Sequence, residues 1–361
     1  MAEPSFNARW TRNRARAIAL PFHIALTAGA SADVPSAPTG APATTEYGIE
    51  FITIGKPNNP PYAGNDPEYP GFNAGRGSVS YEYRIGRYEI TTAQWMEFVN
   101  TFSTQGDEYF FFAQPSSWGA THDFSYAGPG RRWRLDETRP DPAMSPVLGI
   151  DWRTAARFVN WLNNGKSSDP ATLDYGAYDA STFTDNPDGT FNDQVAHSPG
   201  ARFWIPSLDE WLKAAHFDPN RFGSDQPGWW LFSHRSDDPP VPGLPGQGQT
   251  SASLTLGGFA EKWIPLGAYS GIVSPWGLYD TSGGATEWLE EVSDGRFRLT
   301  DGASAGLTID SLDRAALSLY THPGMTGTSG LRLAGLIPSP SCVSLTLVSV
   351  ILHVRRRRRD A

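Results

Sequence analysis

The chain has 361 residues, 39% hydrophobic and 19% charged, which argues against wholesale disorder and is enough for one large domain. Its 37 Gly, 30 Pro and 13 Trp imply a loop-rich body held by large aromatic anchors. A net charge of −9 argues against nucleic acid as a partner and favours cations such as calcium, and a single cysteine excludes an intramolecular disulfide.

Near the N-terminus, Arg9, Arg12, Arg14 and Arg16 precede the apolar run Ala17–Leu26, and the small-residue triplet Ala30-Ser31-Ala32 follows. That order predicts a secretory signal over residues 1–32; the alternative is a disordered basic arm. Residues 33–47 read as a Pro/Ala/Thr linker. Glu50–Ile54 reads as a strand and Ser80–Ile90 as a longer one. Three helices are signalled by their starts. Thr91 with Gln94 makes a capping-box pattern ahead of Trp95, Phe98 and Val99. Asp151 precedes Ala155, Phe158, Val159 and Leu162 at helical spacing. Ser207 with Glu210 repeats the capping box ahead of Trp211, Ala214 and Ala215. Loops 101–143, 165–200 and 218–250 are long enough to be functional or mobile. Asp185–Thr190 looks calcium-like, but an EF-hand frame puts Thr184 and Val195 where Asp and Glu are required, so it reads as a Pro-Asp-Gly turn.

At the C-terminus Pro338-Ser339-Pro340 leads into the apolar stretch Cys342–Val354 and then Arg355–Arg359. As a helix that stretch is about 20 Å long, short for a bilayer span, with the Arg run as a cytoplasmic stop. An amphipathic or disordered tail is the alternative. The arrangement over residues 336–361 resembles the PEP-CTERM sorting tail of Gram-negative bacteria, with Ser339 in place of the usual Glu. The resemblance implies export, transient membrane association, and release to the cell envelope, cell surface or extracellular matrix.

Five segments in order resemble the formylglycine-generating-enzyme (sulfatase-modifying factor) family, together covering 48–335. Arg84 to Trp95 resembles its Y-E-V-T-N opening. Ser145-Pro146-Val147 through Asp151-Trp152 resembles P-V-x-x-V-S-W. Phe203 to Ala215 resembles R-L-P-T-E-A-E-W-E-x-A-A. Trp276 to Trp288 resembles G-L-Y-D-M-x-G-N-V-W-E-W, and Gly330-Leu331-Arg332-Leu333-Ala334 the closing G-F-R-V-A. The resemblance implies an irregular, loop-rich α/β (α+β) fold related to the C-type lectin fold.

Catalytic members carry two copper-binding cysteines after a G-G-S segment and oxidise a substrate cysteine to formylglycine. Here that segment resembles Asp301-Gly302-Ala303-Ser304, and Ala305–Leu312 holds no cysteine. Copper(I) needs soft thiolates, so copper is not expected. The seven His include no H-x-H or H-E-x-x-H pair that would suggest iron. The resemblance places a structural calcium on Asp280, the carbonyls of Gly283 and Ala285, and Glu287; the alternative is a plain turn. Two functions follow: a non-catalytic binding or matrix protein, or a sulfatase-modifying or other metal-dependent oxidase. For the first, a groove lined by Trp118, Trp229, Trp230 and Arg332 is expected to take a peptide, a glycan or a cell-surface protein.

Overall fold

In chain order the strands are β1 (Thr44–Glu46), β2 (Ile49–Ile54), β3 (Tyr83–Gly86), β4 (Ala120–His122), β5 (Trp133–Leu135), β6 (Phe203–Trp204), β7 (Phe217–Asp218), β8 (Gly228–Trp229), β9 (Thr286–Ser293), β10 (Phe297–Asp301), β11 (Leu319–Thr321), β12 (Ser329–Gly330) and β13 (Ala334–Gly335). The helices are α1 (Thr92–Thr101), α2 (Trp152–Asn163) and α3 (Leu208–His216). This computed structural model describes residues 43–106, 113–307 and 313–338. The expected signal, most of the expected linker, and residues 339–361 with Cys342 lie outside the described residues. Among the described residues no helix is long and apolar enough to cross a membrane.

Tyr47 and Gly48 both take left-handed backbones (φ 53° and 78°), as a two-residue hairpin needs, and join β1 to β2. Residues 44–46, expected as linker, are therefore a paired strand. The first sheet runs β1-β2-β3-β13-β6, so the C-terminal strand lies between two much earlier ones. The second runs β11-β10-β9-β12. The expected strand over 80–90 shortens to Tyr83–Gly86. At its end the carbonyls of Gly86 and Arg87 accept from the Arg332 guanidinium at 3.0 and 2.9 Å, and that of Arg87 also from the Tyr279 N–H at 2.9 Å.

The helix starts follow the local chemistry. Thr91 and Gln94 form a reciprocal capping box on α1, Ser207 and Glu210 another on α3, and the Asp151 side chain accepts from Thr154 N–H on α2. The apolar faces of α1 and α2 meet in an aromatic core, while Leu208, Trp211, Leu212 and Ala215 of α3 pack with Leu289 and Leu299 in a second cluster. Trp95 stacks on Phe158 at 5.1 Å, and Phe98 packs edge-on to Phe158 and tilted against Trp161 at 5.3 Å each. Burying each such ring contributes roughly 2–3 kcal/mol. Asp185–Thr190 is a turn, closed by Asn186 N–H to the Thr190 carbonyl at 2.8 Å.

Candidate functional site

The segment entering β9 turns through Gly283 and Gly284, both left-handed (φ 94° and 64°). A Cβ on Gly283 would stand 2.6 Å from Ser251 Oγ, and one on Gly284 2.3 Å from Glu89 Oε1, so only glycine fits. Both Glu89 oxygens accept from the Ala285 N–H at 3.0 Å. Burial pushes the Glu89 carboxyl well above the ordinary carboxylate range, and the nearby Glu287 charge adds to that.

Glu287 is buried beneath the same turn. Arg332 donates Nε to both Glu287 oxygens at 2.9 Å and Nη2 to Oε1 at 2.7 Å, and Trp211 Nε1 donates to Oε2 at 2.6 Å. Arg332 also reaches the Tyr279 carbonyl at 2.8 Å. Asp280 accepts from the Gly267 N–H at 2.6 Å, and burial pushes its carboxyl up to about 6. In this arrangement one of the four expected groups, Glu287, is already engaged. Both Glu287 oxygens already face a cation and an indole N–H, so an ion at a calcium–oxygen distance of about 2.4 Å requires Arg332 to withdraw. Among the described residues no three His, Cys, Asp or Glu side chains are grouped to hold a metal.

The stretch beyond β10 is stitched to this turn. Gly283 N–H donates to the Ala303 carbonyl at 2.7 Å, Ala305 N–H to the Gly284 carbonyl at 2.9 Å, and Gly306 N–H to the Ser251 carbonyl at 3.1 Å. Behind it, buried Asp313 accepts from the Ala303 N–H at 2.9 Å and the Ser282 hydroxyl at 2.6 Å. Gly306 and Leu307, beyond the buried Ala305, then surface along an open hollow of about 320 Å³, shared with Leu256, Phe259 and Lys262.

A second hollow of about 660 Å³ lies against the same Phe259 and Lys262 and is walled by Trp118, Trp133, Arg139 and Trp263. The turn Gly257–Trp263 is thus the ridge between the two. Trp263 Nε1 donates to Ser117 Oγ at 3.3 Å, and the Arg139 guanidinium lies 4.1 Å over the Trp263 ring while pairing with Asp136 at 2.8 Å. Phe259 takes a left-handed backbone (φ 61°) with its ring 67% exposed. For a bulky residue that conformation costs on the order of 1 kcal/mol, the kind of strain that gathers at binding sites.

Residues 64–335 match the family model described as "Sulfatase-modifying factor enzyme 1-like domain". The chain belongs to this family. One relative is the hercynine oxygenase of Mycolicibacterium smegmatis (strain ATCC 700084 / mc(2)155), 23% identical over 213 residues, which are 57% of this chain. The chain spans only 36% of that relative's length. Among solved structures, CarF superposes at a TM-score of 0.46 with 19% identity, covering 80% of this chain and 99% of CarF. PvdO from Pseudomonas aeruginosa superposes at 0.47 with 13% identity, covering 83% and 100%.

Within this sulfatase-modifying-factor domain the expected groove residues separate. Trp118 lines the larger hollow. Trp229 is buried against Tyr62 at 5.7 Å and donates to the Pro60 carbonyl, and Trp230 lies under Arg221 at 4.2 Å. Arg332 has no exposed surface, because its charge balances Glu287 in the interior. Trp133 and Arg139 fall in the long loop 101–143, a usable signal. Phe259, Lys262 and Trp263 carried none beyond the pair Gly257-Gly258.

Proposed function

We propose that this chain is an exported, non-catalytic binding module of the family, whose groove along Gly257–Trp263 holds an extended ligand at the cell surface. The observation that carries this reading is the pair of hollows on either side of Gly257–Trp263, one of them running past Ala305–Leu307, in a chain whose only cysteine is Cys342. Formylglycine chemistry of the copper type needs two thiolates beside that stretch. Function is argued from such a site and not from the fold. Export rests on the N-terminal Arg-apolar-Ala order and the Arg-rich tail. A second reading, an oxygenase or sulfatase-modifying oxidase, draws on the family and on the name of the mycobacterial relative.

One preparation tests both readings. The full chain is recovered by cell fractionation, analysed for metals, and incubated with a cysteine-containing peptide under oxygen. The expected result is an envelope or extracellular protein without bound copper or iron and without peptide oxidation. Bound copper or iron accompanied by turnover sinks the binding-module reading. Recovery in the cytoplasmic fraction sinks export.

A further inference from the structure

The lining of the groove indicates what it takes, on the premise that the chain is a binding module. Phe259 presents an exposed ring on a backbone conformation that glycine takes freely and phenylalanine does not. Its neighbour Gly258 has the same backbone hand (φ 68°), and a Cβ there would meet nothing. The fold therefore does not need a bulky side chain at this ridge, yet a flat aromatic surface stands there between two hollows. Lys262 lies 4.9 Å from the Phe259 ring and, among the described residues, has no carboxylate within ion-pair reach. Arg139, the neighbouring cation, is already paired with Asp136. Around them the wall offers amide and hydroxyl groups from Gln114, Ser116 and Thr121.

We infer that the groove binds a glycan chain bearing a carboxylate sugar. Pyranose rings present C–H faces that pack on aromatic surfaces, here Phe259 and Trp263. Their hydroxyls suit an amide- and hydroxyl-lined wall, and a uronate carboxylate suits the Lys262 ammonium, which pairs with no carboxylate among the described residues. A peptide anchor side chain calls for an enclosed socket, whereas both hollows here are open and Phe259 projects as a platform. The net charge of −9 gives no general attraction to polyanions, so affinity for an acidic sugar has to come from this local pairing.

The test is calorimetric titration of the full chain with a short soluble oligogalacturonate and with its carboxyl-reduced, neutral counterpart. The acidic sugar is expected to bind about fivefold more tightly than the neutral one, the reach of one exposed ion pair. Lys262→Gln should bring the two to the same affinity. Phe259→Gly should abolish binding of both while leaving the melting temperature unchanged or raised, since glycine relieves the backbone. Absence of binding by either sugar, or displacement of the sugar by a proline-rich peptide of equal affinity, overturns the glycan inference and leaves the binding-module reading standing. Binding that ignores both substitutions overturns its placement in this groove. Metal-dependent turnover of the thiol peptide is a separate readout, and it strikes only the premise.

Discussion

Asp313 shows how a single buried residue sets a pH dependence. Among the described residues its carboxyl has no cationic partner and accepts from the Ala303 N–H and the Ser282 hydroxyl, and burial pushes it up to about 7. A folded pKa above the unfolded value means that the native state binds the proton more tightly. That contribution is fully present below the unfolded pKa of 3.8 and is lost as pH rises through about 7. Asp280, pushed up to about 6, acts in the same direction. His216 and His234, held down to about 3 and about 4 by burial, act oppositely, gaining stability as pH rises toward 6.5. Comparison with Asp313→Asn separates one term from the rest. Asparagine keeps the acceptor for Ala303, and the Ser282 hydroxyl retains Thr250 Oγ1 at 2.8 Å as an acceptor. The variant should match wild type near pH 4 and exceed it at pH 8 by on the order of a few kcal/mol in denaturant unfolding. An unchanged difference across that range would show that Asp313 does not titrate as its burial implies.

Among the elements, α1 is the clearest case of local chemistry placed in a tertiary role. Thr91 and Gln94 exchange backbone-to-side-chain bonds of 3.4 and 2.9 Å, and the Gln94 amide continues to the Gly48 carbonyl at 2.9 Å, tying the helix to the β1–β2 hairpin. Thr91→Ala should cost about 1 kcal/mol and lower the melting temperature by roughly 2–4 °C. A loss of far more than that would mean the box also holds the hairpin in place. All three helix starts were legible because capping acts between residues three apart. The strand expected over 80–90 was not, because the residue that binds the carbonyls at its end, Arg332, comes from the far end of the chain.

For the molecule as a whole, Arg332 holds Glu287, one of the residues to which the family resemblance assigns calcium. Its guanidinium joins the ends of β3, the Tyr279 carbonyl and Glu287 on β9, and so ties the two sheets together. Buried ion pairs of this kind cost about 3–5 kcal/mol to break from one side. With that internal cation in place, a chelator should leave the melting temperature unchanged. A fall of several degrees that added calcium restores would show that calcium displaces Arg332 from Glu287.

The sequence alone determined what depends on neighbours: the three capped helices, the Pro-Asp-Gly turn, the loop-rich aromatic body, and the absence of cysteine from Ala305–Leu312. It also carried the family, through five segments in order. Only the tertiary structure decided the fate of Arg332 and Trp229, which the interior claims, of Trp230, half-buried against Arg221, and of Trp118, buried in the core with an edge on a hollow. A charged or aromatic side chain reads the same in sequence whether it lines a surface or fills a core. Burial and counter-charge, supplied by residues such as Glu287 and Tyr62 from distant strands and loops, settle which.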